Sequence, residues 1–424
     1  MAHIKPFRGY CYNTDRIRLD DVVAPPYDVI SPLRRDNLYR RSPYNCIRLI
    51  LGREPDPYGS AARCFTSWKN EGILLRDPLP AVYLLAQKFR RTDGEEAVRT
   101  GIIAACRLEE FGAGTVFPHE RTLSTPREDR RKLLDATGAL FSQIFGLYDD
   151  TGGAVRRMLA PVMAGPPDLR AEFDGVENSV WKATDQGLLL GLQTAIADQK
   201  VVIADGHHRY ETALEYARHC RTGNPVHTGT EAYNFVPMFL TPVHDRGLAV
   251  LPTHRLISGV RNFSAEQFLM DLGKGFLVEK ADGMDAVLRA VAIPSDPPRI
   301  GLILGGGNSF HLLTPGTSRG RAVRSAMADA LDVVVLERNV FTSLLGMTQS
   351  DIQKKKYLEY EKDPGECRTA VEQGFAQAAF LLQPPVIDRI KSVAEAGVVL
   401  PQKSTYFYPK LLSGVITYTF SEHE

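Results

Sequence analysis

The sequence predicts a mixed α/β protein in which strands and helices alternate along the whole chain. Three observations predict it. Apolar runs of strand length recur, as at residues 81–90, 99–107 and 201–204. Segments of helical period lie among them, as at 265–272 and 284–291. The changes between the two are punctuated by 35 glycines and 27 prolines. A chain of 424 residues also exceeds what one core usually holds, roughly 250–300 residues, so two to three domains are expected.

Taken in order, a strand over 22–24 ends at Pro25-Pro26, and Ser31-Pro32 opens a helix. Residues 44–51 alternate like a half-buried strand, and 59–70 read as a helix. Strands over 81–90 and 99–107 are joined by the turn Thr92-Asp93-Gly94. Gly112, Gly114, Pro118 and Pro126 frame a polar stretch of the kind in which function concentrates. A charged helix over 126–137 and a strand over 142–148 follow, then a connection over 160–167 to a further strand and helix. The strand 201–204 runs into a helix with Ala213, Leu214, Tyr216 and Ala217 on its apolar side. Strands are expected at 235–243 and 248–251, and two more flank Gly305-Gly306-Gly307-Asn308, which reads as a hairpin turn. Helices over 365–382 and 386–395 and a strand-like run over 415–420 close the chain. The expected segments are an N-terminal α/β part at 1–110, a catalytic core with an insertion at 111–260, an α/β part at 261–345 and a C-terminal part at 346–424 that completes the site.

With 51 basic and 50 acidic side chains the net charge is +1, which gives no bulk excess for displacing counterions from a nucleic acid. No run approaches the ~20 apolar residues that cross a bilayer. MAHIKPFRGY lacks the apolar stretch of a signal peptide, and Cys11, Cys46, Cys64, Cys106, Cys220 and Cys367 form no CxxC. A cytoplasmic location is expected.

IADGHHRYET, residues 203–212, is the sharpest local signal. A buried strand delivers Asp205, Gly206, His207, His208 and Arg209 to the first turn of a helix, where N–H groups and the macrodipole favour an anion. Gly206 permits close approach of backbone, and Arg209 and the histidines add donors; phosphate is the natural guest. A capping Asp205 with Arg209 as its ion-pair partner is the plain structural alternative. His207 and Glu211 are spaced i, i+4 and Asp205 is close, but no HExxH occurs, so a Mg²⁺ carried by a nucleotide fits better than a dedicated zinc. Asp205 or Glu120 could touch that ion. VFPHERTLSTPREDR, residues 116–130, offers His119, Glu120, Thr122, Ser124 and Arg127, with Glu120 able to take a proton from an attacking hydroxyl; Ser124 or Thr125 could instead cap the next helix. PQKSTYFYPK, residues 401–410, places Lys403, Ser404, Thr405 and Lys410 among aromatics, suited to phosphate contact or to a half-buried strand. LPTHR, residues 251–255, adds Thr253 and His254, which with His119 are candidate substrate contacts. There is no GxxxxGK[ST], GxSxG or kinase HRD and DFG set.

PFRGY, VVAPPYDVIS, YNCIRL, FPHERT, IADGHHRYETAL, LPTHR and PQKSTYFYPK together resemble a large prokaryotic family catalogued as a domain of unknown function, with matches from Pro6 to Lys410. Within it, the PHE and DGHHR elements are similar to those of free L-serine kinases of the ParB/sulfiredoxin fold. The resemblance implies a ParB/sulfiredoxin-like core with large insertions. It also implies ATP or ADP with Mg²⁺ as the nucleotide, serine or O-phosphoserine as the small-molecule partner, Glu120 as base and residues 205–209 as the phosphate cradle, with Asp205 and His208 assisting transfer. Glu120 and Asp205 stand 85 positions apart, a longer interval than in those kinases. A ParB-like regulator binding nucleotide or DNA, and a metal-dependent phosphohydrolase built on Asp205, His207, His208 and Glu211, are the rival readings.

Overall fold

The computed structural model describes residues 2–122, 124–316 and 331–420, apart from the side chains of 124–126. The mixed α/β class is what the chain adopts. It divides into two compact units that interleave along the sequence: Met1–Pro118 with Thr122–Ala249 and Pro409–Glu424, and Val250–Tyr408 with His119–Arg121. The four segments expected from the sequence are contiguous, whereas these units are not.

The larger unit is built on a nine-stranded sheet. From one edge its strands run Val116–Phe117, Val201–Asp205, Ile144–Tyr148, Phe235–Pro242, Glu96–Arg107, Val82–Arg90, Val176–Ala183 and Leu169–Phe173, with Ile4–Lys5 pairing on Glu96–Arg107. Two neighbouring pairs are parallel, Val116–Phe117 with Val201–Asp205 and Ile144–Tyr148 with Phe235–Pro242. The long hairpin Val82–Arg90 to Glu96–Arg107 turns at Gly94, whose φ of 89° a side chain would oppose. Leu84, Ile102, Ala104, Val236, Met238 and Leu240 line one face and pack with Leu192, Ile196, Tyr210 and Ala213 of two helices, Gln186–Ala197 and His207–Gly223. Asp185 caps the first of these through Leu188 N at 2.8 Å.

The smaller unit carries a six-stranded antiparallel sheet in the order Phe276–Lys280, Ser309–Pro315, Ile300–Leu304, Ala378–Leu381, His254–Ile257 and Leu358–Glu361. Gly305, Gly306 and Gly307 all have positive φ and make the hairpin expected there. The helix Ala265–Leu272 has the expected bounds, its start fixed by Ser264 accepting from Gln267 N.

Four expectations are corrected. The strand expected over 22–24 is replaced by the end of the helix Leu19–Val22 and a single bridge from Ala24 to Ser413. Residues 44–51 contain a short helix, Ile47–Ile50, because Asn45 Oδ1 accepts from Ile47 N at 2.9 Å and closes a turn that the apolar residues continue. A run this short does not separate strand from helix by its pattern. The helix expected over 365–382 stops at Glu372: Gly374 turns the chain at φ 75°, and Ala378–Leu381 becomes a fully buried inner strand. Of the strand-like run at 415–420, only Tyr418–Thr419 pairs as a strand, with Ala139–Leu140.

Close packing in the larger sheet is testable at Gly101. A Cβ there would collide with the Leu240 carbonyl oxygen and the Phe239 ring, whereas one at Gly223 meets nothing within 4 Å. Gly101→Ala is expected to lower stability by roughly 1–3 kcal/mol, the usual range for overpacking. Gly223→Ala should stay within about 0.5 kcal/mol, as surface changes do. Urea midpoints of the two variants measure the difference.

Candidate active site

The sequence-predicted residues fall into two sets, one in each unit. The larger unit holds Thr122, Arg127, Asp205, Gly206, His207, His208, Arg209 and Lys410, and also Ser124, which opens the helix Ser124–Thr137 and whose side chain lies outside the described residues. The smaller unit holds His119, Glu120, Thr253, His254, Lys403, Ser404 and Thr405.

In the larger unit the strand Val201–Asp205 carries a bulge. Ile203 pairs with Gly146 while Asp205 pairs with Phe145, so Ala204 is extra, and Asp205 is re-aimed at the strand end. The chain then reverses through Gly206 at φ 90° and enters the helix His207–Gly223. That φ favours glycine, and a Cβ would also approach the Arg209 guanidinium to 2.9 Å. Asp205 Oδ1 accepts from Gly206 N at 3.0 Å; its Oδ2 lies 3.3 Å from Lys410 Nζ and 3.8 Å from Arg209. Arg209 is nearly buried and donates to the Gln143 carbonyl, so it acts from beneath the turn. His207 is buried and His208 half-buried on that first turn.

Thr122 and Arg127 reach the same helix one turn further on. Thr122 Oγ1 donates to Glu211 Oε2 at 2.5 Å, and the Arg127 guanidinium lies 3.1 Å from that oxygen. Thr122 and Arg127 are thus joined to the helix through Glu211. Among the described residues no three His, Cys, Asp or Glu side chains gather as a metal site. The four-ligand centre of the phosphohydrolase reading is therefore not assembled, and Glu211 serves Thr122 and Arg127 instead.

Lys410 owes its position to residues the sequence reading passed over. Arg99 has no solvent exposure. Its guanidinium donates to Gln87 Oε1 and, at 2.5 Å, to the Pro409 carbonyl, and it lies 4.7 Å from the centre of the Phe145 ring. Gln87 Nε2 donates to the Lys410 carbonyl at 3.2 Å and to Asn178 Oδ1 at 2.8 Å. Arg99, Gln87 and Asn178 are direct cross-strand partners, a polar row across three strands. Burial pulls the Arg99 pKa down to about 9, against the raising effect of Asp245 and Asp205, so the group stays charged at neutral pH.

In the smaller unit Glu120 is held by a loop. His119 O accepts from Leu400 N at 2.8 Å and Leu400 O from Arg121 N at 3.2 Å, a parallel bridge that frames Glu120. Glu120 Oε1 accepts from Thr405 N at 3.1 Å and Thr405 Oγ1 at 3.2 Å, and His119 Nε2 lies 2.9 Å from that hydroxyl. A proton on His119 Nε2 satisfies the whole chain of contacts, imidazole to hydroxyl to carboxylate. Arg255 ties the loop down through the carbonyls of Gln402 and Lys403, and Ser404 Oγ donates to Pro401 O at 2.6 Å. Ser404 and Thr405 therefore shape the surroundings of Glu120. Thr253 and His254 are buried; His254 Nδ1 accepts from Leu382 N at 3.1 Å, and burial with Arg255 lowers its pKa to about 4, leaving a neutral imidazole bonded to the sheet backbone.

Among the described residues no helix is long and apolar enough to cross a membrane. No curated protein matches the chain significantly. Similar solved structures include a conserved hypothetical protein from Pyrococcus furiosus, 14% identical, covering 70% of this chain and 91% of its own at a TM-score of 0.35. A free serine kinase in complex with AMP is also 14% identical, with 73% and 90% covered and a TM-score of 0.36. SbnI with a C-terminal truncation, from Staphylococcus aureus, is 12% identical, with 73% and 85% covered and a TM-score of 0.36. At those scores none of them assigns this chain a reaction. The family model described as "Protein of unknown function (DUF1015)" matches residues 4–334, most of the chain, and the protein belongs to that family.

Proposed function

We propose that the protein transfers a phosphoryl group between a nucleotide, ATP or ADP, and the hydroxyl of free L-serine, in the kinase direction or its reverse from O-phosphoserine. The observation that carries this reading is the convergence of Lys410 on Asp205 at the glycine-led first turn of the helix His207–Gly223. A lysine, backbone amides at a positive dipole end and one carboxylate are the parts that nucleotide phosphates and their metal ion require. A ParB/sulfiredoxin-like description of the core belongs with this proposal and rests on the motif resemblance.

Each residue then has a task. The amides from Gly206 onward and Lys410 neutralise phosphate oxygens, and His207 and His208 add donors at the same turn. Asp205 is the side chain that would hold a nucleotide-borne Mg²⁺; one carboxylate is enough for an ion that keeps most of its water and phosphate ligands. Such an ion would supply charge neutralisation across the phosphates. Arg209 acts through Asp205 and the Gln143 carbonyl, as a positioning residue. By the motif resemblance, Glu120 is the base that would accept the serine proton as the new O–P bond forms and the bond to the departing nucleotide breaks, and would return that proton in the reverse direction. The contacts from Thr405 and His119 fix its carboxylate beforehand. Thr122 and Arg127 brace the helix through Glu211.

Two outcomes follow. With serine and nucleotide, ³¹P NMR should show phosphoserine and the shortened nucleotide appearing together, and Glu120→Gln should lose about 10²-fold or more in turnover while keeping nucleotide affinity. A folded chain that binds nucleotide but converts neither serine nor phosphoserine would contradict the proposal. Lys410→Met should weaken nucleotide binding by about tenfold, the scale of one charge-assisted contact, as measured by calorimetric titration.

A further inference from the structure

The larger unit holds a cavity of about 260 Å³ that the phosphotransfer reading does not use. It opens beside Tyr148 and Pro242, the last residues of the adjacent parallel strands Ile144–Tyr148 and Phe235–Pro242. Carboxyl ends of neighbouring parallel strands are where open α/β sheets receive ligands. Asp205 belongs to the other end of this pair, beside Phe145. The cavity is many times the ~10–15 Å³ that one water needs, and just under the ~300 Å³ at which pockets for drug-sized ligands begin. Its size suits a small metabolite.

Its polar groups define the guest. Tyr148 is only 2% exposed, yet its hydroxyl has no hydrogen-bond partner among the described residues, although a buried phenol usually finds one. Burial, then the charges of Asp150 and Asp245, hold that phenol well above its ordinary pKa, so both carboxylates lie within electrostatic reach of it. Asp245 accepts from Gly247 N at 2.8 Å and Thr100 Oγ1 at 3.0 Å, which leaves acceptor capacity on a carboxylate with about four lone-pair positions. Burial raises its pKa, against the lowering effect of the Gly247 and Thr100 hydrogen bonds and of the Arg99 charge. Asp150 accepts from Val155 N and Arg156 N at 3.4 and 3.3 Å, so the start of the helix Ala154–Met163 is already served and offers no anion site of its own. Arg156 is a further lining residue, and its guanidinium has no ion-pair partner among the described residues.

We infer that this cavity binds a small free α-amino acid, with the ammonium group received by Asp245, Asp150 and the Tyr148 oxygen and the carboxylate by Arg156. A simple anion would face two carboxylates, whereas a cationic donor meets the acceptor positions that Asp245 and Asp150 leave open. The inference is independent of the phosphotransfer reading.

The test is calorimetric titration of the full chain, without nucleotide, with glycine, alanine, serine and threonine, and with ethanolamine and acetate as half-probes. Saturable binding of at least one amino acid is expected, weakened tenfold or more by Asp245→Asn and by Tyr148→Phe, with both half-probes bound more weakly than the amino acid. Arg156→Gln should erase the advantage of the amino acid over ethanolamine. Circular dichroism melts keep the comparison to folded variants, and the Tyr148→Phe ring preserves the packing. No saturable binding of any amino acid overturns the inference, as does binding that survives both substitutions. Glu120→Gln should bind normally; if the loss follows Glu120 and spares Asp245, the ligand occupies the other site and the cavity is not its receptor.

Discussion

A guanidinium shut away from solvent, Arg99, is the constraint on which the larger unit depends. Burying such a charge within a sheet is costly unless it is hydrogen-bonded, and here Gln87, the Pro409 carbonyl and the faces of Phe145 and Phe239 surround it. Because Gln87 in turn grips the Lys410 carbonyl and Asn178, the charge links three strands to a stretch more than three hundred positions away in sequence. The rest of the C-terminal segment follows the same course. Gln143 Nε2 donates to Ile416 O at 2.6 Å, Gly414 N to Phe141 O at 2.9 Å, and Thr417 pairs with Tyr10. Lys410 stands beside Asp205 because its backbone is clamped on one side and its side chain finds a carboxylate on the other.

Under the proposed function, that arrangement gathers cationic groups of a chain with near-zero net charge at the turn that would receive the nucleotide phosphates. Lys410 and the opening turn of the helix His207–Gly223 converge on one carboxylate, while Arg209 supports it from below. Glu120, in the other unit, is prepared by different means, a loop pinned by Arg255 and a hydroxyl shared between His119 and the carboxylate. Neither set uses a Walker loop or a kinase catalytic loop, which accords with the absence of those motifs from the sequence. The cavity at Tyr148 is built on the same sheet but at the opposite strand ends, and its carboxylates ask for a cation where the first site asks for an anion.

Much of this was legible in the residues. A strand running through Asp205-Gly206 into a helix is written in the change from apolar run to helical period, and Gly305-Gly306-Gly307 could only be a turn. The bulge at Ala204 was not legible, because an extra residue in a strand leaves no compositional trace. Arg99 sits in an alternating run where an arginine reads as solvent-facing, and only the return of residues 409–410 makes it buried. Residues 44–51 are too short a run to separate strand from helix by pattern, and the helix at 364–372 ends before its apolar pattern does because Gly374 stops it. The passage of His119–Arg121 into the smaller unit depends on pairing with Leu400, a long-range choice that local pattern does not encode.

The dependence of Lys410 on Arg99 is the central claim, and a double-mutant cycle on ADP binding tests it most directly. Calorimetric titrations would compare the unaltered chain, Arg99→Met, Lys410→Met and the double variant, each checked for folding. If the clamp sets the lysine, Arg99→Met weakens ADP binding to a similar degree as Lys410→Met, and the double variant loses little more than either alone. A folded Arg99→Met chain that binds ADP as tightly as the original, or losses that simply add, would contradict the account.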